Sequence, residues 1–154
     1  MNTSCCVQFE TTLDHLTNIL PFQTEPELIE DIVMQSSHIP FEGLGEKLFK
    51  VGDAPLGFYW ILAGEVEIVV PEKALITLKP GAMAGLDSFL SKERHVFNVI
   101  TGSEQVKTLF INRACFDRFR ERQEFRRLIN KQVLYHLSSY KGLLYDAQKL
   151  LLKY

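Results

Sequence analysis

Apolar residues near the start of the chain recur at helical spacing. Leu13, Leu16, Ile19 and Leu20 fall three and four apart within residues 11–20, which predicts a short helix that Pro21 ends. A second helix is expected from Thr24. Thr24 and Glu27 have the spacing of a capping box, Pro26 sits in the first turn, and Leu28, Ile29, Ile32 and Val33 supply one apolar face. From about residue 38 the period changes. Short β-branched or aromatic runs occupy 47–51, 57–63, 65–70, 74–79, 96–101 and 106–112, with glycines between and around them. Many short strands with frequent turn signals predict a sandwich, roll or barrel rather than a parallel α/β sheet. Two strands should meet at or near Gly64, and Lys79-Pro80-Gly81 reads as a turn.

After Asn112 the helical period returns. Phe116 and Phe119 mark a short amphipathic helix, and one long helix is expected from about Gln123 to the end. Phe125, Ile129, Val133, Leu137, Tyr140, Leu144, Ala147, Leu151 and Tyr154 form a stripe whose steps alternate three and four from Leu137 onward, as in a coiled-coil seam. About 30 helical residues would extend roughly 45 Å, more than one small β-domain covers. A second copy of the chain is the simplest partner for the far end. Leu137, Tyr140, Leu144, Ala147 and Leu151 are the expected homodimer contacts.

Composition adds mostly exclusions. With 154 residues, 46% hydrophobic and 23% charged, the chain has ordinary globular composition and suits one domain. A net charge of −2 gives no general case for nucleic-acid binding. Seven cations from Arg113 to Lys131 (Arg113, Arg118, Arg120, Arg122, Arg126, Arg127 and Lys131) are interrupted by Glu121 and Glu124, as on a solvated helix surface. No apolar run reaches the roughly 18 residues of a membrane span, and the N-terminus lacks a secretory pattern, so the expected location is cytoplasmic. Cys5, Cys6 and Cys115 are odd in number and badly spaced for a disulfide framework or a zinc site, and Cys115 is expected as a small buried residue. His15, His38, His95 and His136 lack metal-ligand spacing, so no metal and no cofactor is expected. Asp87, Ser88 and His95 lie within nine residues of one another in one loop region, which gives no triad geometry. No catalytic residue is assigned, and the chain is expected not to be an enzyme.

Several segments resemble the sensor domain of the Crp–Fnr family of bacterial regulators. One is Phe49-Lys50-Val51-Gly52-Asp53, followed after five residues by Tyr59-Trp60-Ile61-Leu62-Ala63-Gly64-Glu65-Val66. Others are Leu78-Lys79-Pro80-Gly81, and Leu109-Phe110-Ile111-Asn112-Arg113 with Phe116 after it. The resemblance implies an α+β, mainly β fold: an antiparallel double-stranded β-helix, or jelly roll, of the cyclic-nucleotide-binding-like kind. It would form one domain over 1–154, with N-terminal helices in 11–36, a β-roll over about 38–112 and C-terminal helices, including a dimerisation helix, in 113–154. The family's helix-turn-helix follows the long helix, and no residues remain for it here. The chain is therefore expected to carry no DNA-binding domain and to make no membrane contact.

The resemblance also locates a pocket. In cyclic-nucleotide-binding relatives a Gly-Glu pair opens a short helix. The glutamate holds the ribose, the helix start holds the phosphate, and an arginine about a dozen residues later neutralises it. Here the pair is Gly85-Leu86, and leucine cannot accept a hydrogen bond. Counting back from Phe116 puts the arginine position at Val96 and the threonine position at Val99. The base-facing region would fall near Lys141-Gly142. The run Gly81–Ser88 resembles the Fnr-like branch, which does not use cyclic nucleotide, and three cysteines cannot supply that branch's four-cysteine iron–sulfur cluster. The expected pocket is Gly85, Leu86, Asp87, Ser88, Arg94, Val96 and Phe97, with the Arg94 fork as the remaining candidate for an anion. The expectation is a Crp-like regulatory sensor with a degenerate cAMP pocket, open to some other small-molecule or nucleotide ligand. Alternatives are a scaffold that binds no ligand, and a genuine cyclic-nucleotide-binding protein.

Overall fold

The structure is a computed structural model that describes residues 25–70 and 76–139. Helix α1 (Pro26–Gln35) is followed by strands β1 (Ser37–Glu42), β2 (Lys47–Phe49), β3 (Gly57–Ala63), β4 (Val66–Val69), β5 (Ile76–Leu78) and β6 (Met83–Ala84). Helix α2 (Leu86–Ser91), strands β7 (Asn98–Thr101) and β8 (Gln105–Asn112), and helices α3 (Arg113–Phe119) and α4 (Gln123–Ser139) complete the order. One sheet runs β1-β8-β3-β6 and the other β2-β7-β4-β5, and every pairing is antiparallel. This is the antiparallel jelly-roll-like arrangement that the alternating short strands predict.

Two apolar clusters hold it together. Along β3, Phe58, Trp60 and Leu62 join the cluster of the helices, while Ile61 and the half-buried Tyr59 belong to the cluster between the sheets. Strand β3 is therefore covered on both faces, which is why its sequence is a continuous apolar run rather than an alternation. The inner cluster adds Leu48, Phe49, Val66, Leu78, Val99 and Val106. The outer one packs Leu28, Ile29 and Ile32 of α1, Phe119 of α3 and Phe125 and Leu128 of α4 on Leu109 and Ile111.

The chain changes sheets at Gly64. β3 ends and β4 begins there, as the sequence predicts, yet the two do not pair with each other. Gly64 has φ +81°, and a Cβ would strike the Gln105 carbonyl oxygen, so both backbone angle and space require glycine. Strand β1 is an edge strand that contains Pro40, placed opposite Lys107. An edge is where a sheet tolerates a residue without an N–H.

Helix α1 buries the four residues of its expected face, and Pro26 stands at its start. Its N-cap is Glu25 without a side-chain bond, in place of the expected Thr24 box. Helix α3 is capped by Asn112, whose Oδ1 accepts the Cys115 N–H at 2.8 Å, and Cys115 is buried. Helix α4 starts at Gln123 as expected, but its buried face is broader than the stripe read from the sequence. Leu128 and Gln132 are buried beside Phe125 and Ile129. A row of strict fourth residues drifts around a 3.6-residue helix, so a straight contact face must include the intervening third residues. The expected helix at 11–20 and the contacts Tyr140, Leu144, Ala147 and Leu151 lie outside the described residues, as does the side chain of Leu137. No described helix is long and apolar enough to cross a membrane.

Candidate functional site

The segment from Gly81 to Asn98 crosses one end of the roll. Gly81 turns at φ +99°, and its N–H donates to the Ile61 carbonyl at 2.8 Å. The Gly81 carbonyl accepts two buried donors, Trp60 Nε1 at 3.1 Å and Gln132 Nε2 at 2.8 Å. After β6, Gly85 takes φ +85° and caps α2, which ends at Lys92 with φ +59°. Leu86 is 2% exposed and packs with Phe89 into the outer cluster, Ser88 is buried, and Asp87 is exposed.

Residues 94–98 then run beside 50–53. The His95 N–H donates to the Asp53 carbonyl at 3.0 Å, the Gly52 N–H donates to the His95 carbonyl at 2.8 Å, and Asn98 Oδ1 accepts the Val51 N–H at 2.8 Å. This extended pairing alternates the side chains. Arg94 is exposed and its Nη1 donates to the Gly52 carbonyl at 2.8 Å. His95 is 4% exposed and its ring stacks on Phe49, with centroids 3.8 Å apart and planes 21° apart. Val96 is 63% exposed and Phe97 is half-buried.

The His95–Phe49 stack lies over Gly85. A Cβ built on Gly85 would come within 2.5 Å of Phe49 Cε2 and 3.1 Å of His95 Cε1. The buried His95 Nε2 has no hydrogen-bond partner. Burial pushes the imidazole pKa below its usual value, against an opposing pull from Asp87 and Asp53. Tyr59 packs edge-on against Phe49 at 5.1 Å, and its hydroxyl pKa is raised by burial and by Asp53. This corner thus holds aromatic rings, a histidine kept neutral and two carboxylates. Among the described residues no cluster of His, Cys, Asp and Glu could hold a metal ion.

Residues 44–123, more than half of the chain, match the family described as the cyclic nucleotide-binding domain. The chain belongs to that family. No curated protein matches it in sequence. Among solved structures it is similar to PKAR CBD2 bound to Sp-2Cl-cAMPS, at 15% identity and a TM-score of 0.68, covering 90% of this chain and 92% of that one. It is similar to a cyclic nucleotide-binding domain from Methylobacillus flagellatus KT, at 18% identity and a TM-score of 0.64, covering 96% and 84%. It is also similar to a mutant of the cAMP-binding acyltransferase from Mycobacterium smegmatis, at 20% identity and a TM-score of 0.63, covering 85% of this chain. The chain spans 43% of the length of that acyltransferase. At such identities the likeness is one of fold.

Within this cyclic nucleotide-binding domain, the Gly85-Leu86 pair does open a short helix, and the Leu86 side chain turns into the core. Val96, counted as the arginine position, points outward. The inward residue of that segment is His95, which the sequence reading weighed only as a metal or triad candidate. Counting along the chain cannot tell which of residues 94–97 faces in, whereas the pairing with 50–53 decides it. Phe49, read as part of a fold motif, is the other half of the stack. Gly85, Leu86 and Ser88 come together around the start of α2, while the Arg94 guanidinium is tied to the outside of the 50–53 turn. Val99, the counted threonine position, is buried between the sheets, and Lys141-Gly142 lies outside the described residues.

Proposed function

We propose that this domain is a regulatory module of the Crp–Fnr type whose roll no longer grips cyclic nucleotide, and that it acts by binding a partner rather than by catalysis. One observation carries the reading. The stacked Phe49 and His95 rings occupy the space over Gly85, and Leu86 is buried where a ribose acceptor would be needed. A buried phosphate requires a cation and several donors. Here the charged groups that act on His95 are Asp87 and Asp53, and the Arg94 fork is bonded to a backbone carbonyl. The fold likeness to PKAR CBD2 bound to Sp-2Cl-cAMPS supports the regulatory part of the reading. A cytoplasmic location and pairing of two copies through the C-terminal helix belong to the same proposal.

The test is thermal unfolding with cAMP and cGMP. A ligand present at about 100 times its dissociation constant stabilises by about 2.7 kcal/mol, which a melting curve resolves easily. No shift is expected with either nucleotide. A saturable rise in melting temperature would show that the two rings move aside and that the pocket is functional.

A further inference from the structure

We infer that the helical face of the domain carries a docking groove for an acidic amphipathic segment of a partner protein. The groove lies on the outer layer, away from the Gly85 corner, so it stands or falls independently of how the roll treats cyclic nucleotide. Two depressions adjoin at the junction of α2, α3 and α4. One, of about 490 Å³, runs from Leu90 and Lys92 across to Phe116 and Arg120. The other, of about 300 Å³, runs from Phe116 and Arg120 to Arg126 and Ile129. They share Phe116 and Arg120 and so lie side by side as one grooved surface.

Its floor is apolar. Phe125 and Ile129 are buried, Phe116 is half-buried, and Leu90 is exposed at one end. On α4, Asn130 lines the groove, and one turn further along the same helix face stands Leu134, 66% exposed. Its rim is basic. Lys92, Arg113, Arg120 and Arg126 line it, against Asp117 alone of the acids. Arg113 is held in place, with its guanidinium carbon 3.7 Å over the Phe89 ring and Nη2 donating to the Phe89 carbonyl at 3.3 Å. Arg120 pairs with Asp117 at 3.5 Å and Glu121 at 3.4 Å, and Arg126 pairs with Glu121 at 3.2 Å. These are exposed pairs of little worth, which an incoming carboxylate can exchange. From Arg113 to Lys131 the chain has seven cations and three carboxylates, although its net charge is −2. Three of those seven cations, Arg113, Arg120 and Arg126, line the groove together with Lys92.

That charge pattern calls for carboxylates, and the recessed floor calls for apolar side chains at a spacing of three or four. A flat bilayer surface cannot follow the recess beside Phe116, whereas single side chains can enter it. The acidic helix α1 is a poor occupant from a second copy. Its four apolar core residues are buried in its own domain, and Asp31 already pairs with Arg122 at 2.6 Å.

The experiment pans a displayed random-peptide library against the full chain and measures the enriched peptides by fluorescence anisotropy. The expected winners carry excess Asp and Glu with two or more apolar residues three or four apart. Their affinity falls at least tenfold in the double variant Arg120→Glu with Arg126→Glu, and less in Arg120→Gln with Arg126→Gln, while melting curves show both variants folded. Arg127→Glu leaves binding unchanged. An absence of enriched peptides, winners without acidic excess, or binding untouched by the double reversal each overturns the proposal. So does a dimer that the double reversal dissociates, which would make a second copy the occupant. Retention on phosphatidylserine vesicles, lost in the double reversal, without peptide binding would overturn it in favour of a lipid surface.

Discussion

Replacing Gly85 by alanine separates two costs that coincide at that position. The first is backbone: φ is +85°, where a Cβ costs about 1–2 kcal/mol. The second is space: the new methyl would sit 2.5 Å from Phe49 Cε2, 2.8 Å from Phe49 Cζ and 3.1 Å from His95 Cε1. Both rings are buried, Phe49 within the inner cluster and His95 stacked against it, so neither can swing away freely. Forcing a methyl into such packing costs about 1–3 kcal/mol. The total of about 2–5 kcal/mol corresponds to a fall of roughly 6–15 °C in melting temperature for a domain of this size. Gly52→Ala is the control, because Gly52 has φ +90° and nothing within 4 Å of its Cβ position. It should cost only the backbone part. Urea unfolding of both variants, monitored by Trp60 fluorescence, gives the difference. A Gly85→Ala variant no less stable than Gly52→Ala would mean that the rings do not cover Gly85, and the argument that the phosphate position is filled would fail with it.

Four further outcomes follow from the same packing. Thr101→Val removes a buried hydroxyl that donates to the Gly43 carbonyl at 2.7 Å and accepts the Glu46 N–H at 2.9 Å, so chemical denaturation should show a loss of about 1–3 kcal/mol. A double-mutant cycle on Arg122 and Asp31, joined at 2.6 Å but partly exposed, should give a coupling of about 0.2–1 kcal/mol that shrinks in high salt. His95 is held neutral by burial, so its folded pKa lies below the unfolded value of 6.5 and the unfolded chain binds the extra proton. Stability should be full above that value and fall as pH drops below it, and His95→Gln should flatten the slope in pH-dependent melts, leaving the smaller part due to His38, also shifted down by burial. Gln132→Met should change stability by less than about 1.5 kcal/mol, because it deletes the bond to Gly81 and at the same time the buried Oε1 that has no partner.

Much of this fold is readable residue by residue because local pattern and final burial agree. The apolar face of α1, the run of β3, the start of α4 and the turns at Gly64 and Lys79–Gly81 all appear where the chain pattern puts them. β1 was hidden because Pro40 masks a strand that survives only at a sheet edge, and β6 because two residues carry no period. Gly64 announced a turn but not a change of sheet, since pairing partners are decided by contacts with residues some forty positions away. Of the candidate corner, the Gly85-Leu86 pair that opens a short helix is visible in sequence. The inward turn of His95 is not, because Arg94, His95, Val96 and Phe97 offer no alternation of apolar and polar residues.

One carbonyl joins the roll to the helical layer. The Gly81 oxygen receives the indole N–H of Trp60 from β3 and the amide of Gln132 from α4, while the Gly81 N–H is itself bonded to β3. An apolar residue at position 132 would bury as well and would leave no orphan acceptor. What glutamine adds is direction: a helix held by apolar contacts alone can slide along a sheet, whereas a single amide–carbonyl bond fixes one axial position. Gly81 opens the segment that leads to Gly85 and His95, so a displacement at that corner meets α4 first through this bond. The same helix forms one wall of the Phe116–Arg126 groove. One route for coupling between the corner over Gly85 and a protein docked on the helices therefore runs through α4. The bond at Gly81 is the point at which the α4 route can be cut without opening the core.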